Sequence, residues 1–399
     1  MPKQITKTYQ VLTNLNCNLD CSYCYEKKDN TVQNIQDVKD SFTFLKQQDK
    51  NIKGMRTIEL IGGESLLYPV LVDQIIEAAK KTWTCCTFSL STNGTLLGKK
   101  QVRKLIQKHQ PYLSVGISLD GPKNIHDAFR TYKNGSGSYN DILQNLDWYF
   151  KTVRHTGVKA TFTKKTLNTY AQSIIHLIEL GFDKIAGNLV YEDTCDANTA
   201  VLVAKQFEKI INHLFENKLE KTIDFSQLGN INPDAHKFHI PSANLEKTNY
   251  CGSCVYMTCL GFDRFLYGCN RFCTMQKPGM HIGQLVHGVY IPNPHFPFEA
   301  VKKQYELLPE ECKNCRIQFM CPSCVAAPYE THDIQAYLNE KRMCGWTAAL
   351  AGARLLLAQK FQAKKPQSTP LAQIRATKDI VKPDFIYRKL KRPGIDQTL

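Results

Sequence analysis

The sequence predicts an α/β protein in which strand–helix units fill the first half and a cysteine-rich segment fills the second. Strand-like and amphipathic segments alternate up to about residue 220, and this order is typical of parallel strands joined by right-handed helical crossovers. After residue 250 the cysteines become dense and recur in CxxC pairs, which indicates metal sites. These two observations define the fold class that the remaining features refine.

Six segments are predicted to be strands because β-branched and aromatic residues are concentrated in them. They lie at 9–15 (YQVLTNL), 56–61 (RTIELI), 86–91 (CTFSLS), 112–118 (YLSVGIS), 158–162 (VKATF) and 184–190 (KIAGNLV). Apolar residues at helical spacing predict helices at about 34–48, 69–82, 97–108, 139–155, 169–180 and 198–219. Six such units fit an open barrel, and a doubly wound sheet would give the same periodicity.

Composition is that of an ordinary globular protein, with 399 residues of which 43% are hydrophobic and 22% charged. No apolar run is long enough to cross a bilayer, and the first ten residues lack the apolar stretch of a secretory signal. Without export, the sixteen cysteines indicate metal ligands rather than disulfides. We therefore expect a cytoplasmic protein with no membrane partner.

The net charge of +15 is concentrated in part at the C-terminal end. Residues 364–399 hold nine cations against three acidic residues, a net charge of +6. Such a basic tail can attract an acidic peptide, a membrane or nucleic acid, and a solvated tail without a partner is an equal alternative. Nucleic acid is disfavoured because no aromatic-studded RNA-binding signature accompanies the charge.

Three cysteines follow the first predicted strand within one short loop: Cys17, Cys21 and Cys24, here called the opening cysteines. Their C-x3-C-x2-C spacing offers three thiolates to one site, whereas structural zinc sites and most iron–sulfur clusters take four. The triplet therefore indicates a 4Fe–4S cluster with one iron open to an outside ligand. A zinc knuckle that borrows a distant fourth ligand is the alternative.

This spacing, with the aromatic Tyr23 before the last cysteine, resembles the radical S-adenosylmethionine (SAM) superfamily. The resemblance implies an enzyme with a partial (β/α)6, TIM-like barrel, in which SAM chelates the open iron of the cluster. Reductive cleavage of SAM would give a 5′-deoxyadenosyl radical that abstracts hydrogen from the substrate. The protein would bind, orient and shield this cofactor.

By the same resemblance, several strand ends carry SAM-binding residues. The glycine-rich turn after the second strand would receive the amino group of SAM, because bare glycine backbone permits close approach. The serine after the fourth strand would bond the ribose or carboxylate, the arginine of the HDAFR segment the carboxylate, and the leucine of the sixth strand would pack near the adenine. Each turn by itself also fits an ordinary β–α loop. The implied SAM-binding residues are Tyr23, Gly62, Gly63, Glu64, Ser118, Arg130 and Leu189.

The order of the later cysteines resembles the SPASM domain, a C-terminal extension that carries two auxiliary 4Fe–4S clusters. Three clusters are thus expected in all. A single zinc ribbon built from two CxxC pairs is the alternative, and it leaves six cysteines unexplained. Cys195 receives no role, and Cys259 and Cys273 could substitute at the first site. The resemblance assigns Cys251, Cys254, Cys269 and Cys324 to a first auxiliary site and Cys312, Cys315, Cys321 and Cys344 to a second.

The predicted division of the chain follows from these segments. Residues 1–220 form the barrel, 221–249 a linker, 250–346 the SPASM domain, and 347–399 a C-terminal helix with the basic tail.

The residue after Cys269 bears on the reaction. Anaerobic sulfatase-maturing enzymes, which resemble this chain, place an aspartate there as the proposed general base, and this chain has Asn270. Because an amide cannot accept a proton near neutral pH, formylglycine formation loses its named base and the catalytic residue is unknown. We therefore expect a maturase that forms thioether or carbon–carbon cross-links in a ribosomally made precursor peptide.

Three alternatives stay open at this point: sulfatase maturation, a radical SAM reaction on a small molecule, and a non-enzymatic zinc protein that binds nucleic acid. The expected partners are a precursor peptide or protein and an electron donor of the flavodoxin or ferredoxin kind.

Overall fold

A computed structural model describes residues 6–50, 52, 54–229, 249 and 251–363 of the protein. The predicted basic tail, residues 364–399, lies outside the described residues, as does most of the predicted linker.

The first half consists of parallel strands that alternate with helices, as the sequence predicts. Asn34 caps the first helix by accepting the backbone N–H of Gln36, and Val38, Phe42 and Leu45 form its buried stripe. The elements are β1 (Lys7–Leu12), α1 (Ile35–Gln48), β2 (Arg56–Ile61), α2 (Pro69–Thr82), β3 (Cys86–Thr92), α3 (Lys100–His109), β4 (Leu113–Ser118), α4 (Lys123–His126), α5 (Tyr139–Leu143), α6 (Leu146–Thr152), β5 (Thr156–Phe162), α7 (Tyr170–Glu179), β6 (Lys184–Leu189), α8 (Ala197–Glu216) and β7 (Asp224–Phe225).

One predicted helix, 139–155, is wrong as a single element. It is divided into α5 and α6, and the last residues of the predicted range, 153–155, form the connection that precedes β5. The Asn145 side chain donates to the carbonyl oxygen of Asp141 at 2.9 Å. A side-chain bond to a nearby carbonyl competes with the helical backbone bonds, and this explains the break.

Strand order decides between the two architectures that periodicity left open. Strands β1 to β7 are neighbours in sequence order, and each pair is parallel. A doubly wound sheet reverses direction at a switch point, whereas consecutive right-handed crossovers keep all helices on one face. The first half is therefore a partial barrel, as predicted.

The two faces of the sheet differ in chemistry. Alternate strand residues such as Val11, Ile58 and Phe88 pack against the helices in the main apolar core. The side chains between them form the opposite face, here called the lumen face. There Gln10 donates to Glu59 at 3.0 Å and Lys159 donates to the Ser91 hydroxyl at 3.0 Å. The interior of the barrel is therefore polar.

The cysteine-rich half continues the same sheet. Strand β8 pairs in parallel with β1, so that the described strands form one sheet in the order β11-β10-β9-β8-β1 and onward to β7. Its elements are β8 (Met257–Leu260), β9 (Phe265–Tyr267), α9 (Asn270–Thr274), β10 (Gly283–Val286), β11 (Val289–Pro292), α10 (Phe298–Lys302), α11 (Gln304–Leu307), α12 (Glu310–Lys313), α13 (Ile334–Asn339) and α14 (Cys344–Ala363).

Two further contacts tie the halves together. Arg264, in the turn between β8 and β9, forms ion pairs with Asp37 at 3.0 Å and Asp40 at 2.9 Å on α1. Helix α14 packs along α8, and the Trp346 ring meets those of Tyr170 and Phe207 edge to face. Among the helices that the structure describes, none is both long enough and apolar enough to cross a membrane.

Candidate active site

The opening cysteines lie in the loop that leaves the C-terminal end of β1. Cys17 is buried, Cys21 is half-buried and Cys24 is exposed. The loop is held against the segment after β4, because Asp20 N–H donates to the Thr131 carbonyl at 2.7 Å and Ser22 N–H to that of Phe129 at 3.0 Å. The three thiols thus face the carboxyl ends of the strands, where parallel α/β enzymes hold their ligands.

Polar donors approach these sulfur atoms. The Asn93 amide lies 3.9 Å from Cys17 Sγ, and Arg130 Nη1 lies 4.0 Å from Cys21 Sγ. Burial acts to lower the pKa of Lys28, but its hydrogen bond with Asp20 and the three nearby thiols raise it. The sequence-based prediction missed Lys28, although a lysine four residues after the last cysteine was a visible signal.

Burial raises the pKa of Cys17 to about 11 and also raises that of Cys24. Alone, these thiols are protonated at neutral pH, so a metal would have to displace their protons and supply the compensating charge. Three thiols with amide, guanidinium and ammonium donors around them fit an anionic sulfur-ligated cluster.

The two glycines after β2 pack directly against the backbone that leads from β1 into the cysteine loop. A Cβ on Gly62 would lie 2.6 Å from the Asn14 carbonyl oxygen, and one on Gly63 would lie 2.2 Å from that of Asn16. Gly63 N–H donates to the Asn14 carbonyl at 3.0 Å. Close backbone packing, visible without any ligand, therefore requires glycine at both positions.

The Glu64 carboxylate is buried and already used within the protein. It accepts the Asn93 backbone N–H at 2.7 Å, the Thr92 hydroxyl at 2.8 Å and the Leu66 backbone N–H at 3.0 Å. Three donors stabilise the carboxylate and join the loops after β2 and β3. The Glu64 backbone is also hydrogen-bonded, because its N–H donates to the Asn16 carbonyl at 2.8 Å and its carbonyl accepts the Asn14 amide at 3.1 Å. The role of Glu64 in binding SAM stays a prediction.

Arg130 lies beside the cysteine loop, and Asp120 holds it there. Arg130 Nε donates to Asp120 Oδ2 at 2.9 Å, and the guanidinium lies 5.3 Å from the centre of the Tyr23 ring. The Tyr23 hydroxyl donates to the same carboxylate. Asp120 thus fixes two predicted cofactor residues. The sequence-based prediction missed it, although it follows the predicted Ser118 by two positions.

Ser118 and Leu189 differ in where their side chains lie. Ser118 ends β4 on the lumen face, level with Lys159 of β5. The Leu189 side chain is 4% exposed and belongs to the apolar core, while the neighbouring Asn188 is exposed. The predicted adenine contact of Leu189 remains untested.

The first auxiliary site is assembled from distant segments. Beyond burial, the pKa of the Cys251 thiol is raised by Cys324, and that of Cys269 by Cys324 and Cys251. A Cβ on Gly268 would lie 2.5 Å from Cys254 Sγ, so this thiol touches the backbone just before Cys269.

The second auxiliary site forms around the start of α14. Beyond burial, the pKa of Cys312 is raised by Cys344, and that of Cys344 by Cys315. Burial raises the pKa of Cys321 to about 11, with further contributions from the other three thiols. The thiols thus interact within the two groups that the resemblance implies, and their role as ligands remains a proposal.

Cys259 and Cys273 form a separate buried pair. They pack with Leu12 and Leu15 below the cysteine loop, and Cys259 also interacts electrostatically with Cys269. Cys195 is buried after β6, where its carbonyl accepts the Gly345 N–H at 2.7 Å.

Asn270 meets the cysteine loop directly. Its side-chain amide donates to the Tyr25 hydroxyl at 2.8 Å, and its backbone N–H donates to Gln10 Oε1 at 2.8 Å. Tyr25 as a residue is 42% exposed, whereas burial raises the pKa of its hydroxyl, the end that Asn270 contacts. The residue after Cys269 therefore touches Tyr25, which directly follows Cys24, and the sequence did not predict this contact.

The comparisons with known proteins agree with this architecture. A model of the Radical SAM superfamily matches residues 11–181. An uncharacterized protein of Methanocaldococcus jannaschii is 30% identical over 50% of this chain and 68% of its own length. A serine-type anaerobic sulfatase-maturating enzyme of Bacteroides thetaiotaomicron is 24% identical over 76% of this chain and 78% of its own.

Two solved structures share the fold at low sequence identity. The structure of anSMEcpe with bound AdoMet and Cp18Cys peptide has a TM-score of 0.68 at 17% identity, and covers 90% of this chain and 100% of its own. That of Streptococcus suis SuiB bound to precursor peptide SuiA has a TM-score of 0.57 at 12% identity, and covers 83% of this chain and 74% of its own.

Proposed function

This chain belongs to the radical SAM superfamily of enzymes, and on that premise we propose that it oxidatively modifies a ribosomally made precursor peptide. Cross-linking through a thioether or carbon–carbon bond is the modification we favour. The observation that carries the proposal is the contact between Tyr25, in the cysteine loop, and Asn270, which directly follows a cysteine of the first auxiliary site. If Cys269 ligates an auxiliary cluster, this contact supports the proposal, because that cluster would lie close to the space where a substrate would meet the radical.

The opening cysteines would hold a 4Fe–4S cluster with a position left for SAM. When bound, cluster and SAM would supply the 5′-deoxyadenosyl radical for hydrogen abstraction. The backbone at Gly62 and Gly63, together with Ser118, would receive the amino and carboxylate groups of SAM. Arg130, oriented by Asp120, would neutralise the carboxylate.

The two later cysteine groups would each hold an auxiliary 4Fe–4S cluster, giving three clusters in all. Four thiols per group favour full ligation, and hence electron transfer or structural support rather than substrate binding on iron. Iron and sulfide analysis of anoxically purified protein tests the count. About twelve irons per chain is expected from three four-iron clusters, and zinc in place of iron would support the zinc alternative.

A peptide substrate is supported by the proteins that resemble this chain in sequence or in fold. The related Bacteroides thetaiotaomicron enzyme acts on sulfatases by its name, and anSMEcpe and SuiB both bind peptides. Within this class, Asn270 disfavours formylglycine formation, because its amide is donated to Tyr25 and provides no basic oxygen there.

The test is incubation of the reduced enzyme with SAM and the small Cys- or aromatic-containing peptides encoded beside its gene. A mass loss of two hydrogens per link, with one 5′-deoxyadenosine per abstraction, is the expected result. No mass change in these peptides, together with formylglycine on a sulfatase peptide, would make sulfatase maturation the better assignment. Turnover of a small molecule alone would exclude both peptide reactions.

We further propose a cytoplasmic enzyme that receives electrons from a flavodoxin- or ferredoxin-like donor. Cluster reduction needs a low-potential one-electron source. Reduction by either protein, followed as loss of visible absorbance, tests this partner.

A further inference from the structure

Arg271 lies between the first auxiliary site and the barrel. It is the second residue of α9, two positions after Cys269, and only 6% of it is exposed. Its Nε and Nη2 donate to the two carboxylate oxygens of Glu330 at 2.8 and 2.7 Å, and Nη2 also donates to Glu192 at 2.5 Å. Glu330 belongs to the cysteine-rich half and Glu192 to the loop after β6. The buried guanidinium therefore joins the two halves at the mouth of the barrel.

The same guanidinium lies over the aromatic ring that follows Cys24. Its carbon is 4.9 Å from the centre of the Tyr25 ring, within the range of a cation–π contact. The adjacent residue, Asn270, donates to the hydroxyl of that ring. Two consecutive residues of α9 thus hold Tyr25 from its face and from its hydroxyl.

The charge of Arg271 also reaches the auxiliary cysteines. Arg271 lies two positions after Cys269, which is the residue that caps the start of α9. Its guanidinium pairs at 2.7 Å with Glu330, which follows Cys324 by six residues. A cation beside a cluster favours its reduced, more negative form, whereas a nearby carboxylate disfavours it.

We propose that Arg271 is a positioning residue that locks Tyr25 beside the first auxiliary site and raises the reduction potential of the cluster bound there. The inference rests on the proposed function, because it requires a cluster at that site. Glu330 and Glu192 hold the guanidinium in place, and their charges partly offset its effect on the potential. Removing the Arg271 charge should therefore lower the reduction potential of the cluster, and removing the charge of Glu330 or Glu192 should raise it.

The test uses the full chain in a C17A/C21A/C24A background, so that only the auxiliary sites bind clusters. Potentials are measured by redox titration followed by electron paramagnetic resonance. Arg271→Gln is expected to shift one auxiliary signal to a more negative potential, and Glu330→Gln to shift the same signal to a more positive one. Shifts of the same sign would indicate general disruption and would overturn the proposal.

Two control variants separate charge from structure. Arg271→Lys keeps the charge and loses the planar fork, so its potential should stay close to that of the parent protein. Arg264→Gln removes an arginine from the same half, one paired with Asp37 and Asp40 on α1, and should leave both signals in place. A shift with Arg264→Gln as large as with Arg271→Gln would also overturn the proposal.

The locking of Tyr25 is tested without any cluster. In metal-free protein, the unfolding midpoints of Arg271→Gln, Tyr25→Leu and the double variant should be non-additive, because each single change already breaks the contact. Additive midpoints would refute the positioning role. Iron content separates a failure of the proposed function from a failure of this inference. If the C17A/C21A/C24A protein binds no iron, both the proposed auxiliary clusters and the potential shift are contradicted. The non-additivity of the unfolding midpoints tests the contact between Arg271 and Tyr25 independently of any cluster.

Discussion

At the scale of single residues, the charge pair between Arg130 and Asp120 is the main fixed point of the candidate SAM site. Both residues are buried, and Asp120 also accepts the Thr161 backbone N–H at 2.9 Å. Asp120→Asn would leave a buried guanidinium without its counter-charge. We expect a loss of about 3–5 kcal/mol in the free energy of unfolding, measured by urea denaturation under anoxic conditions.

A matched control is available on the surface. Asp147 and Lys151 form an exposed ion pair at 2.8 Å on α6, with side chains 79% and 74% exposed. Asp147→Asn should change the free energy of unfolding by less than about 1 kcal/mol. Equal losses in the two variants would contradict the structural role of Asp120.

His126 predicts a pH dependence of stability. It is fully buried and its Nδ1 accepts the Asp120 backbone N–H at 3.2 Å; burial lowers its pKa to about 4. The folded-state pKa of His126 lies below the unfolded value of about 6.5. The neutral ring therefore contributes to the free energy of unfolding above pH 6.5, and this contribution is lost as the pH falls toward 4. The difference corresponds to about 3 kcal/mol over this window.

The check is urea denaturation of metal-free protein at several pH values between 7 and 4. The wild type should lose more stability than His126→Gln over this range, since glutamine does not titrate. Parallel losses in both proteins would show that other groups dominate the acid sensitivity.

At the scale of elements, the turn after β2 and the cysteine loop after β1 are one packed unit. Gly63→Ala would force a Cβ to within 2.2 Å of the Asn16 backbone oxygen, a distance that requires the loop to move. We expect loss of iron from the opening cysteines with the auxiliary clusters retained, about four of twelve irons if three four-iron clusters bind. Iron analysis of the purified variant measures this loss.

Gly157→Ala is the control for that change. Gly157 lies in β5, and a Cβ added there would lie 3.8 Å from its nearest heavy atom, the Lys184 carbonyl oxygen, which is an ordinary contact. The iron content of the Gly157→Ala variant should equal that of the wild type. Normal iron content in Gly63→Ala as well would contradict the proposed coupling between the two loops.

At the scale of the whole molecule, α14 joins the second auxiliary site to the barrel. Trp346 lies two residues after Cys344, is 3% exposed, and packs between α7 and α8 through Tyr170 and Phe207. Trp346→Ala should lower the free energy of unfolding by about 3–5 kcal/mol, as expected for a large buried ring. It should also weaken iron retention by the second auxiliary site more than by the first. Equal iron loss at both sites would argue against a local link.

Features that depend on residues close in sequence were predicted, and features that depend on contacts between distant segments were not. Cysteine spacing, strand alternation and the glycine-rich turns are short-range patterns, so the sequence predicted β1 to β6 and the long helices of the first half except at 139–155. It did not predict β7 to β11 or the short helices of the cysteine-rich half. Asp120, Tyr25 and Arg271 acquire their roles from contacts between distant segments, such as the one between Tyr25 and Asn270. No periodicity or spacing in the sequence encodes such pairs.

By itself, the sequence determined a parallel α/β order in the first half and the family that the chain resembles. From that resemblance it predicted three thiols with one ligand position open and two further groups of four. Only the tertiary structure decided that the strands follow one another in barrel order, that β8 extends the sheet beyond β1, and that α9 meets the cysteine loop. The reason is physical. Residue type and local spacing fix which bonds a segment can make, whereas packing of the whole chain fixes which distant partners come within reach.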